Sequence, residues 1–280
     1  VPALNAKGQS NWPEMYSTDF LLQKKADMEA GDPASWQTIM MLNPVSSHAL
    51  WRHGDIEWRE MADPADYIYV CIYFDPSFKA TDRADYKAIS AWGLVKGREE
   101  YEHECFDRFV GKCELREAIV AMADIYDRLP PATKTRTEVM IENTGSQVGL
   151  YEQALHILRN EGRNMPLIQD RRQKNSRAHG TKEDRISMLK TFYEQKRIFW
   201  NASKRNNNFY QIALKQYTSF DPKNRHNQDD CIDADEGAVF WTRSNEPTFF
   251  GDSGDVMMVD MGAGDNFEQA DMDFIDTDFD

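Results

Sequence analysis

The chain has 280 residues, of which 41% are hydrophobic and 12% aromatic, enough apolar material for one large domain. No apolar run approaches the roughly 18 residues of a membrane-spanning helix, and no basic segment leading into an apolar stretch follows Val1, so neither a membrane protein nor a signal peptide is expected. The cysteines Cys71, Cys105, Cys113 and Cys231 form no C-x-x-C pair, which points to reduced thiols and away from a zinc centre.

The formal net charge of −14 conceals two opposed segments. Residues 251–280 hold ten acidic side chains and no Lys or Arg, and removing them from the total leaves −4. Residues 159–225 carry sixteen Lys/Arg against six Asp/Glu. A basic stretch followed by an acidic tail suits a nucleic-acid partner, which the overall charge alone would have argued against.

Residues 1 to about 62 read as a leader, with turn signals at Asn11-Trp12-Pro13 and Gly31-Asp32-Pro33, a helix over 19–30 and an apolar patch near 36–42. Tyr67 to Phe74 (YIYVCIYF) is β-branched or aromatic almost throughout and closes at Asp75-Pro76-Ser77, as a buried central strand does. Tyr86–Val95 and Tyr101–Val110 are predicted as the next two strands. Apolar residues at helical spacing from Leu115 predict a helix that Pro130-Pro131 stops. Thr137–Ile141 is a short strand ending at Glu142, Leu150–Asn160 a helix, and Leu167-Ile168 a possible further strand. Thr181 caps a helix to Gln195 with Asp184 at its third position; Asn206–Phe220 and Asp230–Thr242 are the last two helices. Three hairpin-connected strands, a crossover helix and another strand predict an α/β fold, a mixed β-sheet with helices on its faces. Residues 246–280 are expected to be an acidic, flexible tail whose interspersed Met and Phe residues would suit docking on a partner.

Acidic residues stand at the punctuation points of this pattern. Asp75 and Glu142 each end an apolar strand, and Asp229-Asp230 opens the last helix. Each has a plain alternative: Asp75 before Pro can start a turn, Glu142 before a Gly-containing loop can be a solvated strand end, and Asp229 or Asp230 can cap a helix. Together they suit hydrolysis of a phosphodiester, which two divalent ions bound by oxygen ligands can drive.

The motifs also resemble a family. The stretch from Asp75 to Ala88 (DPSFKATDRADYKA) looks like the first active-site motif of the nuclease domain of tailed-phage terminase large subunits. Ile141-Glu142-Asn-Thr-Gly is similar to its second motif, Lys182-Glu-Asp-Arg185-Ile to its basic helix start, and His226-Asn-Gln-Asp229-Asp230-Cys-Ile-Asp233-Ala to its closing motif. The resemblance implies an RNase H/RuvC-like fold over residues 63–245, with residues 1–62 joining it to an ATPase domain. It implies an endodeoxyribonuclease that cuts double-stranded DNA concatemers during viral genome packaging in the host cytoplasm, using two Mg²⁺ or Mn²⁺ ions. By the same carry-over Asp75, Glu142 and one of Asp229 and Asp230 are ligands, with Asp229 preferred for its spacing from His226, and Asp233 is either an adjacent ligand or a group that supports one. Arg171, Arg172, Lys174, Lys182 and Arg185 are candidates for contacts to DNA phosphates, and His226 either assists proton transfer or caps a turn. The implied partners are double-stranded DNA, the portal of the prohead and the small terminase subunit. The sequence contains no G-x-x-x-x-G-K-[ST] loop, so no ATPase activity is expected of it. The rival readings are another RNase H-like nuclease, such as a junction resolvase or a transposase-like enzyme, and a non-catalytic DNA- or portal-binding module.

Overall fold

The structure is a computed structural model that describes residues 1–5, 7–31, 36–41, 49–76, 86–142, 149–170, 172, 181–224 and 227–247. Its strands are β1 (Trp58–Arg59), β2 (Tyr69–Asp75), β3 (Lys87–Lys96), β4 (Tyr101–Gly111), β5 (Thr137–Glu142), β6 (Leu167–Asp170) and β7 (Ile198–Asn201). The helices are α1 (Thr18–Gly31), α2 (Leu115–Asp127), α3 (Pro131–Lys134), α4 (Leu150–Asn160), α5 (Lys182–Glu194), α6 (Asn208–Ser219) and α7 (Asp230–Ser244). Most of the predicted elements are present, and the helix over 150–160 has the predicted bounds. The capping box of α5 forms as expected: the Thr181 backbone N–H donates to Asp184 Oδ2 at 2.8 Å, and the Asp184 N–H donates to Thr181 Oγ1 at 3.2 Å.

Seven strands form one mixed sheet in the order β1-β7-β4-β3-β2-β5-β6. β2, β3 and β4 are an antiparallel meander, while β5 and β6 run parallel to β2. The edge beyond β4 was not foreseen. β7 adds parallel to β4 and β1 parallel to β7. Both strands are too short for a period-2 pattern to stand out, and their pairing is non-local.

The sheet separates two apolar layers, as expected for helices on both faces. Tyr69, Cys71 and Tyr73 of β2 point into the layer that holds Leu189 of α5, Tyr217 of α6 and Ile232 of α7. Val70, Ile72 and Phe74 point the other way, onto Met122 of α2 and Ala154 of α4. β2 is therefore apolar on both sides, which explains its continuous apolar run. Trp51 and Ile56 join the first layer, while Leu4, Leu21 and Trp36 form a separate small cluster with Ala3. Among the described residues no helix is long and apolar enough to cross a membrane.

α7 approaches the sheet very closely at Gly237, where a methyl group would overlap the Tyr73 ring. Gly54, by contrast, has open space around the same position. Gly237→Ala is therefore expected to destabilise the domain by about 1–3 kcal/mol through overpacking. Gly54→Ala is expected to leave the urea midpoint near the native value. Equal midpoints for the two variants would show that the contact is not tight.

Candidate active site

The alternation of β2 and β5 decides which acids meet. Met140 of β5 shares the α7 layer with Tyr73, while Val139 and Ile141 share the other layer with Phe74. One step further along each strand, Asp75 and Glu142 fall on the α7 face. The two strands are parallel neighbours with Phe74 opposite Ile141, so the acids emerge side by side at the same end of the sheet. β6 adds a third acid there. Asp170 is in register with Glu142, is 2% exposed, and accepts a 2.6 Å hydrogen bond from the Tyr73 hydroxyl.

The first turn of α7 lies over these strand ends. Asp230 is buried, and Asp229 at the N-cap makes no side-chain capping bond, so the simple capping role considered from sequence does not describe it. Burial pushes the pKa of the Cys231 thiol well up; of its charged neighbours Arg108 lowers it, while Asp235, Asp230 and Asp75 raise it.

α7 presents acids to the protein interior, and each of several has a named cation. Asp235, fully buried, pairs with the equally buried Arg108 at 3.3 Å. Arg172 Nε reaches Asp170 at 2.9 Å, and its Nη1 reaches Glu236 at 3.3 Å. Arg185 lies 3.5 Å from the other Glu236 oxygen. Lys182 Nζ bridges Asp229 at 2.8 Å and Asp233 at 2.5 Å. Burial works to lower the Lys182 pKa, but Asp233 and Asp229 outweigh it and hold the ammonium above the ordinary lysine range.

These placements bear on the basic residues expected at DNA. The Arg172 side chain is 5% exposed and that of Arg185 10%, both committed to carboxylates, whereas Lys182 keeps 38% exposure. Arg171, Lys174 and His226 lie outside the described residues, as does the segment 143–148 after Glu142. Sequence reading missed Asp170, Asp235 and Glu236. Asp170 ends a strand as Asp75 and Glu142 do, and that shared position was the available signal.

Among the described residues no three His, Cys, Asp or Glu side chains already converge closely enough to hold an ion. Carboxylates brought together without a cation repel, and here Lys182, Arg172 and Arg185 supply the positive charge. The donor set nonetheless fits a hard divalent ion. It is all carboxylate oxygen, the Asp233 Oδ1 atom is buried with no hydrogen-bond partner, and burial pushes the nearby Cys71 and Cys231 thiols well up, so they stay protonated.

Arg172 also sets a pH dependence. Burial raises the Asp170 pKa, but Arg172 and the Tyr73 and backbone hydrogen bonds outweigh it and hold the carboxyl below its ordinary value. A depressed folded-state pKa contributes stability above the unfolded value of about 3.9, and that contribution is lost as pH falls through the folded value. Arg172→Met should cost about 3–5 kcal/mol at pH 7, because it leaves buried carboxylates under-paired. The gap between native and variant should narrow below about pH 4, as thermal melts across pH would show. A gap independent of pH would mean that Arg172 acts by packing alone.

No curated protein sequence gives a match to this chain. Among solved structures it is similar to the P22 large terminase nuclease domain, with 13% identity over 69% of this chain and 90% of that one and a TM-score of 0.47. It is similar also to the human cytomegalovirus terminase nuclease domain, with 15% identity over 62% and 84% and a TM-score of 0.43. A third is the large terminase (g2p) nuclease domain of bacteriophage SPP1 with bound Mn, with 12% identity over 67% and 96% and a TM-score of 0.42. The terminase RNase H-like domain family matches residues 72–240, from the middle of β2 to the last turns of α7. That match spans more than half of the chain and takes in every carboxylate at the sheet end and α7, and by it the protein belongs to the terminase RNase H-like domain family.

Proposed function

We propose that this chain is a metal-dependent endodeoxyribonuclease domain that cuts double-stranded DNA concatemers during viral genome packaging in the host cytoplasm. What supports the reading is that Asp75 and Glu142 end adjacent parallel strands and that Asp230, which opens α7, is buried. Carboxylates at this density, with no thiolate among them, are what Mg²⁺ or Mn²⁺ recognises. When bound, such ions polarise the phosphodiester and lower the pKa of the attacking water.

The chain's own residues then have distinct tasks. Asp75, between Glu142 and the start of α7, is the central ligand. Glu142 and Asp230 flank it. We choose Asp230 over Asp229 for the third place because Asp230 is buried, while Lys182 already engages Asp229. Arg172 holds Asp170 and Glu236, and Arg185 holds Glu236, so the acids behind the ligands are paired and fixed. Of the described basic residues expected at DNA, Lys182 retains the most surface with which to meet a phosphate. His226 is assigned proton transfer, and Arg171 and Lys174 phosphate contacts, on the family motif alone. By the same resemblance residues 1–62 lead from a motor domain, the acidic tail over 246–280 docks on the portal, and the partners are the portal and the small terminase subunit.

Plasmid cleavage with Mn²⁺ or Mg²⁺ tests the reading. The native chain should linearise and then degrade plasmid, and a chelator should stop it. Asp75→Ala should lower the rate by more than about 100-fold, beyond the 10–100-fold typical of residues that only support a ligand. Undiminished cutting by that variant would refute the nuclease assignment at this site. Asp230→Asn should match Asp75→Ala, and Asp229→Asn should lose about tenfold or less. The reverse order would move the third ligand to Asp229.

A further inference from the structure

Among the described residues Arg172 and Arg185 pair with Glu236 of α7 and Lys182 with the acids at its start, and these cations differ in one respect. The guanidinium groups of Arg172 and Arg185 are enclosed, at 5% and 10% side-chain exposure. Lys182, the first residue of α5, is 38% exposed and carries its charge as a compact ammonium on a flexible stem. It can reach water by side-chain rotation alone. Its position between Asp229 and Asp233, one helical turn apart, is where a small cation would bridge the same two carboxylates. Among the described residues Asp233 Oδ1 is buried with no hydrogen-bond partner.

We propose that Lys182 is a removable internal counter-ion, whose ammonium withholds Asp229 and Asp233 from divalent metal until it swings out. The inference rests on the metal-dependent reading above and adds regulation to that site. An ammonium and a divalent cation cannot share the space between two carboxylates, because their mutual repulsion at contact distance is large and poorly screened in a half-buried cleft. A divalent ion needs only one or two protein carboxylates when water and a phosphate complete its shell, so Asp229 and Asp233 suffice once the lysine leaves. Lys182 therefore sets the metal concentration at which these acids are recruited, and it keeps the first turn of α7 ordered before metal arrives.

Calorimetric titration of the 280-residue chain with MnCl₂ tests this. Lys182→Met and Lys182→Gln should bind Mn²⁺ about 10- to 100-fold more tightly than the native chain, the range over which residues behind a metal site tune its affinity. Their melting temperatures should rise more on adding Mn²⁺ than that of the native chain. Adding Asp229→Asn to Lys182→Met should remove the gain. A second measurement uses the native protein only. Acetylation of Lys182 by acetic anhydride, followed by mass spectrometry, should accelerate when Mn²⁺ is present. Equal or weaker Mn²⁺ binding in both lysine variants, or acetylation that Mn²⁺ leaves unchanged or slows, would overturn the proposal and make Lys182 a permanent clamp. Binding in the native chain with no gain in the variants defeats this inference alone. An absence of Mn²⁺ binding in native and variant chains alike defeats the metal reading with it.

Discussion

The Asp235 carboxylate fixes the position of α7, and the candidate site follows from that. It is fully buried and accepts hydrogen bonds from the Trp92 indole at 3.0 Å, the Tyr217 hydroxyl at 2.7 Å and Arg108 at 3.3 Å, and one from Ser90. These donors come from β3, β4 and α6, so the carboxylate is satisfied only when α7 has one rotation and one height against the sheet. An ion buried without such partners would cost several kcal/mol, which makes wrong seatings of the helix unfavourable. Gly237 permits the close approach, with the Tyr73 ring against its backbone. With α7 so fixed, its first turn comes to lie over the end of β2.

The arrangement concentrates negative charge at one end of the sheet while keeping the interior neutral. Asp75, Glu142 and Asp170 end three parallel strands, and Glu236 of α7 shares Arg172 with Asp170. Arginines neutralise the inner members, Asp235, Asp170 and Glu236, in enclosed pairs. Nearer the opening the counter-charge is a lysine with a path to solvent. A gradient from fixed to exchangeable cations is what a site requires if its framework must stay rigid while its outer ligands exchange partners.

Much of this was legible in the sequence. The YIYVCIYF run identified β2 because its residues are buried on both faces, and Pro130-Pro131 bounded α2 because proline cannot continue a helix. The strand-end acids could be picked out because a carboxylate closing an apolar strand breaks the local pattern. β7 was not legible: Ile198–Asn201 follows α5 within four residues, and only pairing with β4 and β1 makes it a strand. The choice between Asp229 and Asp230 was equally hidden. Neighbouring residues at a helix start differ by about 100° of rotation, and the helix is oriented by Asp235, Arg108 and Gly237, which no local motif connects. The pairing of Arg172 with Asp170 and Glu236 is likewise set by tertiary structure, since a basic residue in a basic segment reads as surface charge.

The central claim is that the acids at the ends of β2 and β5 and at the start of α7 form one divalent-metal centre. A crystal of the chain soaked in Mn²⁺, with diffraction recorded at the manganese edge, tests it most directly. The expected result is an anomalous peak within coordinating distance of Asp75, Glu142 and Asp230 together. A peak that none of these three residues touches, or no peak in crystals where the three carboxylates are ordered and open to solvent, would contradict the account.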